Sequence, residues 1–587
     1  MLRPAMKPHS PPPIHLRRPL FAPDCLLVCR LAFSMAFSVG FPCRSMAEFI
    51  DTDVCVYGAT PAGVAAAVQV SRMGRSVVIA EAGRFLGGMT TSGLGATDVG
   101  NKAAIGGIAR EFYQLVARHY SSDGAWKLET REEYFARRGS GQAQASSLGQ
   151  PEATMWTFEP RVAEEIFNAM LTRAKVPIYY DQRLSLVRKD EVRIIELVTE
   201  NANMYRAKVY IDATYEGDVM AKSDVSFTVG RESNREYGET LNGLRAETPK
   251  HQLVVPVDPY VKPGRTNSGL LPFIQSGEQG RPGEGDNRVQ TYNYRLCFTT
   301  NAANRLPVEP PKGYDPARYE LLARYLEALV AAGRKPVLSE FWNPIWLPNQ
   351  KTDINNNGGF STDFIGANWE YPEADYKVRD RIAQEHEDYT RGFLTFLASS
   401  PRVPAPIREE MRRWGPCKDE FLTTDGWPPQ LYVREGRRMV TDYVMNENHC
   451  RGKDRAADSA GLAAYNMDSH NCQRRVRDGR AENEGDVQVP PMRPYPISYR
   501  AMVPKRSECE NLLVPVCLSA SHIAYGSIRM EPVFMILGQS AATAAVLAME
   551  AKVPVQKVDY KALANRLRAD GQVLEWTGPG AGEASGR

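Results

Sequence analysis

Residues 53–95 read DVCVYGATPAGVAAAVQVSRMGRSVVIAEAGRFLGGMTTSGLG. A short apolar strand, Val54-Cys55-Val56-Tyr57, runs into the turn Gly58-Ala59-Thr60-Pro61-Ala62-Gly63. An Ala/Val-rich helix follows to Met73, then a second strand at 76–80 that ends on Glu81. Strand, glycine turn, helix, strand and terminal acid make the βαβ unit that binds a dinucleotide. Gly58 permits the sharp exit from the strand, and Gly63 lets the helix lie close to the sheet. The helix N-terminus offers free N–H groups and partial positive charge to a pyrophosphate, and Pro61 and Ala62 form its first turn. At Glu81 a carboxylate can accept from both ribose hydroxyls, and it repels a 2′-phosphate. Thr60 departs from the GxGxxG pattern, placing a Cβ where the phosphates come closest.

The chain after Glu81, through Ala82 to Gly87-Gly88-Met89-Thr90, resembles the loop after the second strand in flavoproteins of the glutathione-reductase structural class. There a glycine pair lets backbone run beside the pyrophosphate and ribityl chain. Residues 207–218, AKVYIDATYEGD, carry an apolar strand into Asp212-Ala213-Thr214 and a Gly217-Asp218 turn. This resembles the strand that returns to the nucleotide-binding sheet in that class. Near the C-terminus a strand at 511–517 and a polar loop lead through Arg529-Met530-Glu531-Pro532 into a small-residue helix. Gly538 and the alanines after it allow that helix to pack closely. In the class it resembles, such a helix points its N-terminus at the flavin pyrimidine edge, where negative charge develops on reduction.

Together these pieces resemble the broad family of bacterial FAD-dependent oxidoreductases, some of whose members carry the label xanthan lyase. The resemblance runs from 53 to about 552, and the stretch Lys351-Thr-Asp353-Ile-Asn355-Asn356 shares it. It implies an α/β fold: a Rossmann-type FAD-binding domain of the glutathione-reductase class with an inserted mixed α+β substrate domain. The FAD-binding parts are expected at 48–230 and 491–557, the insertion at 231–490 and a tail at 558–587. The resemblance implies FAD as cofactor, with the residues numbered above around it. Flavin would take up a hydride or two electrons, so the partners are a small-molecule substrate and a separate electron acceptor. Substrate identity does not follow, because the fold hosts many chemistries. Nothing in the residues supports a lyase. An NAD-dependent oxidoreductase has no need of the late loop and helix, and a non-catalytic nucleotide-binding protein gains some weight from Thr60.

Residues 348–359, PNQKTDINNNGG, gather amide, amine and carboxylate groups between aromatic segments. Such groups either face solvent or line a polar ligand site, because burying them unpaired is costly. A substrate site formed by Lys351, Asp353, Asn355 and Asn356 would suit a polyhydroxylated, carbohydrate-like molecule. In Tyr465-Asn-Met-Asp468-Ser-His470 the histidine can move a proton near neutral pH, with Asp468 as its orienting partner. The run 432–438 is a strand leading into basic residues, where Arg437 or Arg438 could meet an anionic substrate or form surface ion pairs. His119, His470 and His522 are the positions considered for a covalent flavin link. Residues 177–180, 184–188 and 192–199 read as strands of a small sheet, and 315–332 and 373–399 as helices.

At 587 residues the chain exceeds one compact core, and two closely packed domains are expected. A net charge of +3 gives no case for nucleic-acid binding. The first 47 residues are proline- and arginine-rich, then carry an apolar run at 31–41 and end on Ser45-Met46-Ala47. This is the form of a secretory signal peptide, and Arg17-Arg18 resembles a twin-arginine export signal. The expectation is a periplasmic or secreted protein, or a cytoplasmic one if translation starts at Met35 or Met46. No later stretch reads as an integral membrane segment. Seven cysteines beyond the leader show no CxxC, which excludes a redox CxxC and argues against a zinc site, so no metal is expected. Cys450 and Cys472 could pair in an exported protein.

Overall fold

The structure is a computed structural model that describes residues 47–137, 152–277 and 280–578. The expected signal peptide, up to residue 46, lies outside the described residues, as do residues 138–151 and 579–587.

β1 (Phe49–Tyr57) runs through the middle of the main sheet, its last four residues buried. α1 (Pro61–Arg72) follows, then β2 (Val77–Ala80), which pairs parallel with β1. Apolar runs buried on both faces are what a parallel sheet covered by helices requires. β3 (Ile178–Tyr179), β4 (Leu184–Asp190), β5 (Arg193–Thr199) and β6 (Met204–Asp212) complete the order β3-β2-β1-β6-β5-β4. The strand Leu512–Leu513 joins parallel to the end of β6. β6 therefore shares one edge between two partners: β5 beside Met204 and Tyr205, and the late strand beside Tyr210 and Ile211.

The strands expected at 177–199 to form a small sheet belong instead to the seven-stranded main sheet. β3 extends the main sheet because the backbone N–H groups of Ile79 and Glu81 find the carbonyls of Pro177 and Tyr179. β4 and β5 continue the same sheet from the start of β6.

Residues between β6 and 490 build smaller antiparallel sheets. The largest has the order β10-β7-β9-β8, from β7 (Leu296–Thr299), β8 (Trp342–Leu347), β9 (Lys351–Asn356) and β10 (Gly415–Pro416). The expected helices are present, at Glu320–Ala331 after a 3-10 turn and at α2 (Tyr376–Ser399). A short strand, β11 (Met467–Ser469), pairs with Val487–Val489. The described residues from Ala47 onward form one compact unit.

α3 (Glu531–Ala551) lies against α1, with nearly every residue buried. A Cβ on Gly538 would stand 2.2 Å from the Ala62 carbonyl oxygen, so glycine is what permits the close crossing. By length and composition α3 could cross a membrane, contrary to the reading that no stretch after the leader could. Its most apolar window is 89% buried within the protein, as in a core helix. The expected tail is also corrected: Tyr560–Ala569 is a helix that buries Leu563, Ala564 and Leu567.

Candidate active site

The cleft starts where β1 ends. Gly58 has φ +103°, a left-handed conformation that favours glycine, and a Cβ on Gly63 would lie 1.9 Å from the Gly58 carbonyl oxygen. The Thr60 hydroxyl accepts from Gly63 N–H at 3.3 Å and donates to the Ala213 carbonyl at 2.6 Å. The departure from GxGxxG is thereby explained: Thr60 caps α1 and ties it to the end of β6. Pro61 and Ala62 are buried in the first turn.

Glu81 accepts from Ala59 N–H at 2.6 Å and from Gly83 N–H at 2.7 Å. Burial pushes its carboxyl above the usual range. It lines the cleft with Gly58, Thr60, Ala82, Gly88 and Thr214. Gly87 N–H bonds the Ala59 carbonyl, which fastens the second loop to the first. Met89 N–H donates to the Tyr215 hydroxyl at 3.0 Å, and that hydroxyl donates to Glu531 at 2.9 Å. Burial, opposed by the hydrogen bond from Tyr215, pushes Glu531 up to about 8.

Asp212, Ala213 and Gly217 shape the adjoining turn. Asp212 accepts from the Thr214 hydroxyl and from Met220 N–H, while Gly217 donates to the Thr214 hydroxyl. The opposite wall comes from Tyr294, Tyr371, Tyr376, Arg379 and residues 429–431. Arg379 closes onto this side with two bonds to Asp218, at 2.7 and 2.9 Å.

Beyond Tyr294 and Leu431 their chain neighbours Arg295 and Tyr432 enter a buried polar cluster. Arg529 donates to the Tyr432 hydroxyl at 2.8 Å and to Asp468 at 3.3 Å. Arg434 and Arg529 both lie within 6 Å of the Tyr432 ring centre. His470 Nδ1 lies 2.9 Å from the Asp363 carboxylate, and Nε2 faces Asp468 at 3.8 Å. Burial, reinforced by Arg434 and opposed by Asp363, presses His470 down to about 4. Burial pushes Asp363 up, but Arg434, the contact with His470 and the nearby His251 together hold it below the usual carboxylate range. Asp486, buried and repelled by Asp468, is pushed up to about 8. A neutral imidazole with Nδ1–H on a carboxylate keeps its Nε2 lone pair as a proton acceptor. His251 stacks parallel to His470, ring centres 6.4 Å apart.

Several expected site residues are engaged elsewhere. The orienting partner of His470 is Asp363, since Asp468 stands on the Nε2 side instead. Lys351 is fully buried, with Nζ 2.8 Å from both Glu159 and Asp419 and bonded to Glu420 at 2.5 Å. Three carboxylates use its three N–H groups, so it cannot serve a substrate. These carboxylates also form a cluster of metal-ligand type, in which the Lys351 ammonium supplies the cation. Asp353 is paired with Arg295 at 2.6 and 2.7 Å and accepts from Ala96 N–H. Asn355 does reach the polar cluster, accepting from Asn293 and Arg434. Asn356 is a buried strand position opposite Trp342. Arg437 bonds Asp218 and the Glu216 carbonyl at the nucleotide end of the cleft, away from His470. Gly538 serves helix packing. His522 has both ring nitrogens engaged, with Glu435 at 2.7 Å and the Ser469 hydroxyl at 3.0 Å. His119 lines a separate groove with Arg118 and Arg173.

Asp363, Tyr215, Arg379 and Arg434 were not singled out by the sequence. Tyr215 was legible inside the Asp212–Asp218 motif, but Asp363 meets His470 across 107 positions with no local pattern.

A sequence model described as FAD dependent oxidoreductase matches residues 53–567. The chain belongs to this family. Its members' cofactor is therefore the cofactor here, and the site fits FAD. The glycine turns leave no room for a Cβ, Glu81 faces the cleft, and Ser92 Oγ, Glu531 Oε2 and Arg529 Nε are buried without a hydrogen-bond partner. No curated protein matches the family member described here.

Solved structures match shorter parts. THI4 from Thermovibrio ammonificans is 16% identical with a TM-score of 0.21, over 31% of this chain and 66% of that one. L-amino acid deaminase from Proteus vulgaris is 15% identical with a TM-score of 0.22, over 32% and 54%. A 3-ketosteroid dehydrogenase from Rhodococcus jostii RHA1 is 14% identical with a TM-score of 0.18, over 30% and 50%. The family member thus spans less than two thirds of these proteins' own lengths.

Proposed function

We propose that this FAD-dependent oxidoreductase oxidises an alcohol group on a small polyhydroxylated molecule, with His470 as the general base. The observation that carries the reading is the His470–Asp363 pair, 2.9 Å apart and buried. FAD, held by the Gly58–Gly63 turn, Glu81 and the Gly87–Thr90 loop, would supply the two-electron acceptor. The chain's own part is to receive the hydroxyl proton at His470 Nε2 while Asp363 fixes the ring and its Nδ1–H. Asp468, with Arg529 bonded to it, stands on the Nε2 side, and Asn355 and Asn293 join the same polar cluster through Arg434. Asp486, protonated at neutral pH, adds a donor.

The leader pattern supports export of the mature chain, with an electron acceptor in the same compartment. The test of the activity is anaerobic. The yellow holoprotein is mixed in turn with alditols, aldoses, sugar acids, amino acids and steroids, and its visible absorbance is followed. Bleaching by a polyol, sugar or sugar acid supports the reading. Bleaching by amino acids or steroids alone overturns it.

A further inference from the structure

Cys297 and Cys417 face one another across two antiparallel strands. Pro416 pairs with Phe298 and Gly415 with Thr299, so the next step in register sets Cys417 opposite Cys297. The Cys417 N–H donates to the Cys297 carbonyl at 3.0 Å, and the two sulfurs are 3.8 Å apart. Opposed residues of a hydrogen-bonded antiparallel pair have Cα atoms about 5.5 Å apart, within the range that a disulfide spans. Closing the remaining gap needs side-chain rotation and a small approach of the two strands. Ala96, Leu347, Ile345 and Phe421 surround both sulfurs and exclude water.

We propose that Cys297 and Cys417 form a structural disulfide. Two thiols lose two protons and two electrons to an external disulfide, which is reduced to two thiols as the Cys297–Cys417 sulfur–sulfur bond forms. The reaction belongs to the folding stage, because burial in the finished protein withholds both sulfurs from an exchange partner. The Cys450–Cys472 pairing that the sequence left open has no contact in the structure to support it: Cys472 Sγ donates to the His470 carbonyl at 3.6 Å, and Cys450 is buried beside Tyr495.

The bond would close a loop of 120 positions. It would tie β7, which follows Arg295, to the segment whose Asp419 and Glu420 enclose Lys351. Cross-links across long loops restrict the unfolded chain most. The polar end of the site would thus be braced from below.

The test unfolds the full chain, refolds it with FAD in a mixture of oxidised and reduced glutathione, and blocks free thiols with iodoacetamide in denaturant without reductant. Peptide mapping is expected to recover a Cys297–Cys417 cross-linked pair, lighter by two hydrogens than the separate peptides. The other five cysteines of the described chain are expected to be alkylated. The thermal midpoint of the refolded protein should fall when dithiothreitol is present throughout refolding, and that dependence should vanish in Cys417→Ala. Cys450→Ala is the second variant and should keep the dependence. Alkylation of both Cys297 and Cys417 after oxidative refolding, or a Cys450–Cys472 cross-link in their place, overturns the proposal.

Discussion

The imidazole of His470 rests on the carboxylate of Asp363, Nδ1 to Oδ2 at 2.9 Å, with Arg434 3.1 Å from the other carboxylate oxygen. The arginine keeps the aspartate ionised, the aspartate fixes the imidazole tautomer, and burial keeps the ring neutral. Each group sets the state that the next one needs.

From this pair follows a prediction for His470→Gln and Asp363→Asn. Both should retain flavin, since neither touches the glycine turns, and both should slow flavin bleaching by the active polyol roughly 10²–10⁴-fold. Asparagine at 363 can offer an N–H to Nδ1, which would move the ring proton to Nε2 and remove the acceptor. Stopped-flow bleaching rates check this. Because His470 is pressed down to about 4, the proton-accepting form persists at neutral pH and is lost only as the pH falls through that value. A rate that already drops near an ordinary imidazole value of about 6.5 would show that burial does not hold the ring neutral in the loaded enzyme, and an acid limb unchanged in His470→Gln would show that another group is the base.

A second prediction concerns the cradle. A Cβ at Gly63 would meet the Gly58 carbonyl oxygen at 1.9 Å, a backbone atom that cannot swing aside. Gly63→Ala should lower both flavin content and the thermal midpoint, by an overpacking cost of about 1–3 kcal/mol. Absorbance of the purified variant and a melting curve test it. Full flavin content with an unchanged midpoint would mean that the turn relaxes at no cost.

The nucleotide half was legible because its chemistry is local. Gly58, Gly63, Glu81 and Thr214 stand in one motif each, and each motif folds into one wall of the cleft. The substrate half was legible only in fragments. His470 could be singled out as a titratable group beside an acid, yet its true partner arrives from 107 positions away. Lys351, Asp353 and Asn355 alternate on β9 with neighbours that sequence alone did not assign, and only Asn355 meets the polar cluster. The other two find buried counter-ions on distant segments, Glu420 and Arg295, which no spacing rule announces.

Lys351 yields the third prediction. Its ammonium stands between Glu159, Asp419 and Glu420, two of them fully buried with it. Lys351→Met preserves the stem but leaves buried carboxylates without their cation, at a cost of about 3–5 kcal/mol. Urea unfolding should show a midpoint lowered by that loss divided by the denaturant slope, with flavin still bound in the folded fraction. A variant as stable as the parent would mean that the carboxylates take up protons or an ion instead.

The last prediction uses Glu531. Burial raises its folded pKa to about 8 from an ordinary 4.5, so the native state prefers the protonated acid that the Tyr215 hydroxyl and Thr90 surround. The stability that this preference contributes is complete below about pH 4.5 and is lost as the pH rises through about 8. The slope inside that window is about 1.4 kcal/mol per pH unit, because the unfolded chain has released a proton that the folded one retains. Glu531→Gln carries the neutral shape permanently and has no such proton to lose. Melting curves between pH 5.5 and 8 (about the span of that window) should therefore show the wild type losing midpoint relative to the variant as the pH rises. The comparison is made on flavin-loaded protein and repeated after flavin removal. Parallel profiles in both forms would mean that Glu531 is already ionised in the fold, and that the Met89–Tyr215–Glu531 chain holds a charge at the head of α3.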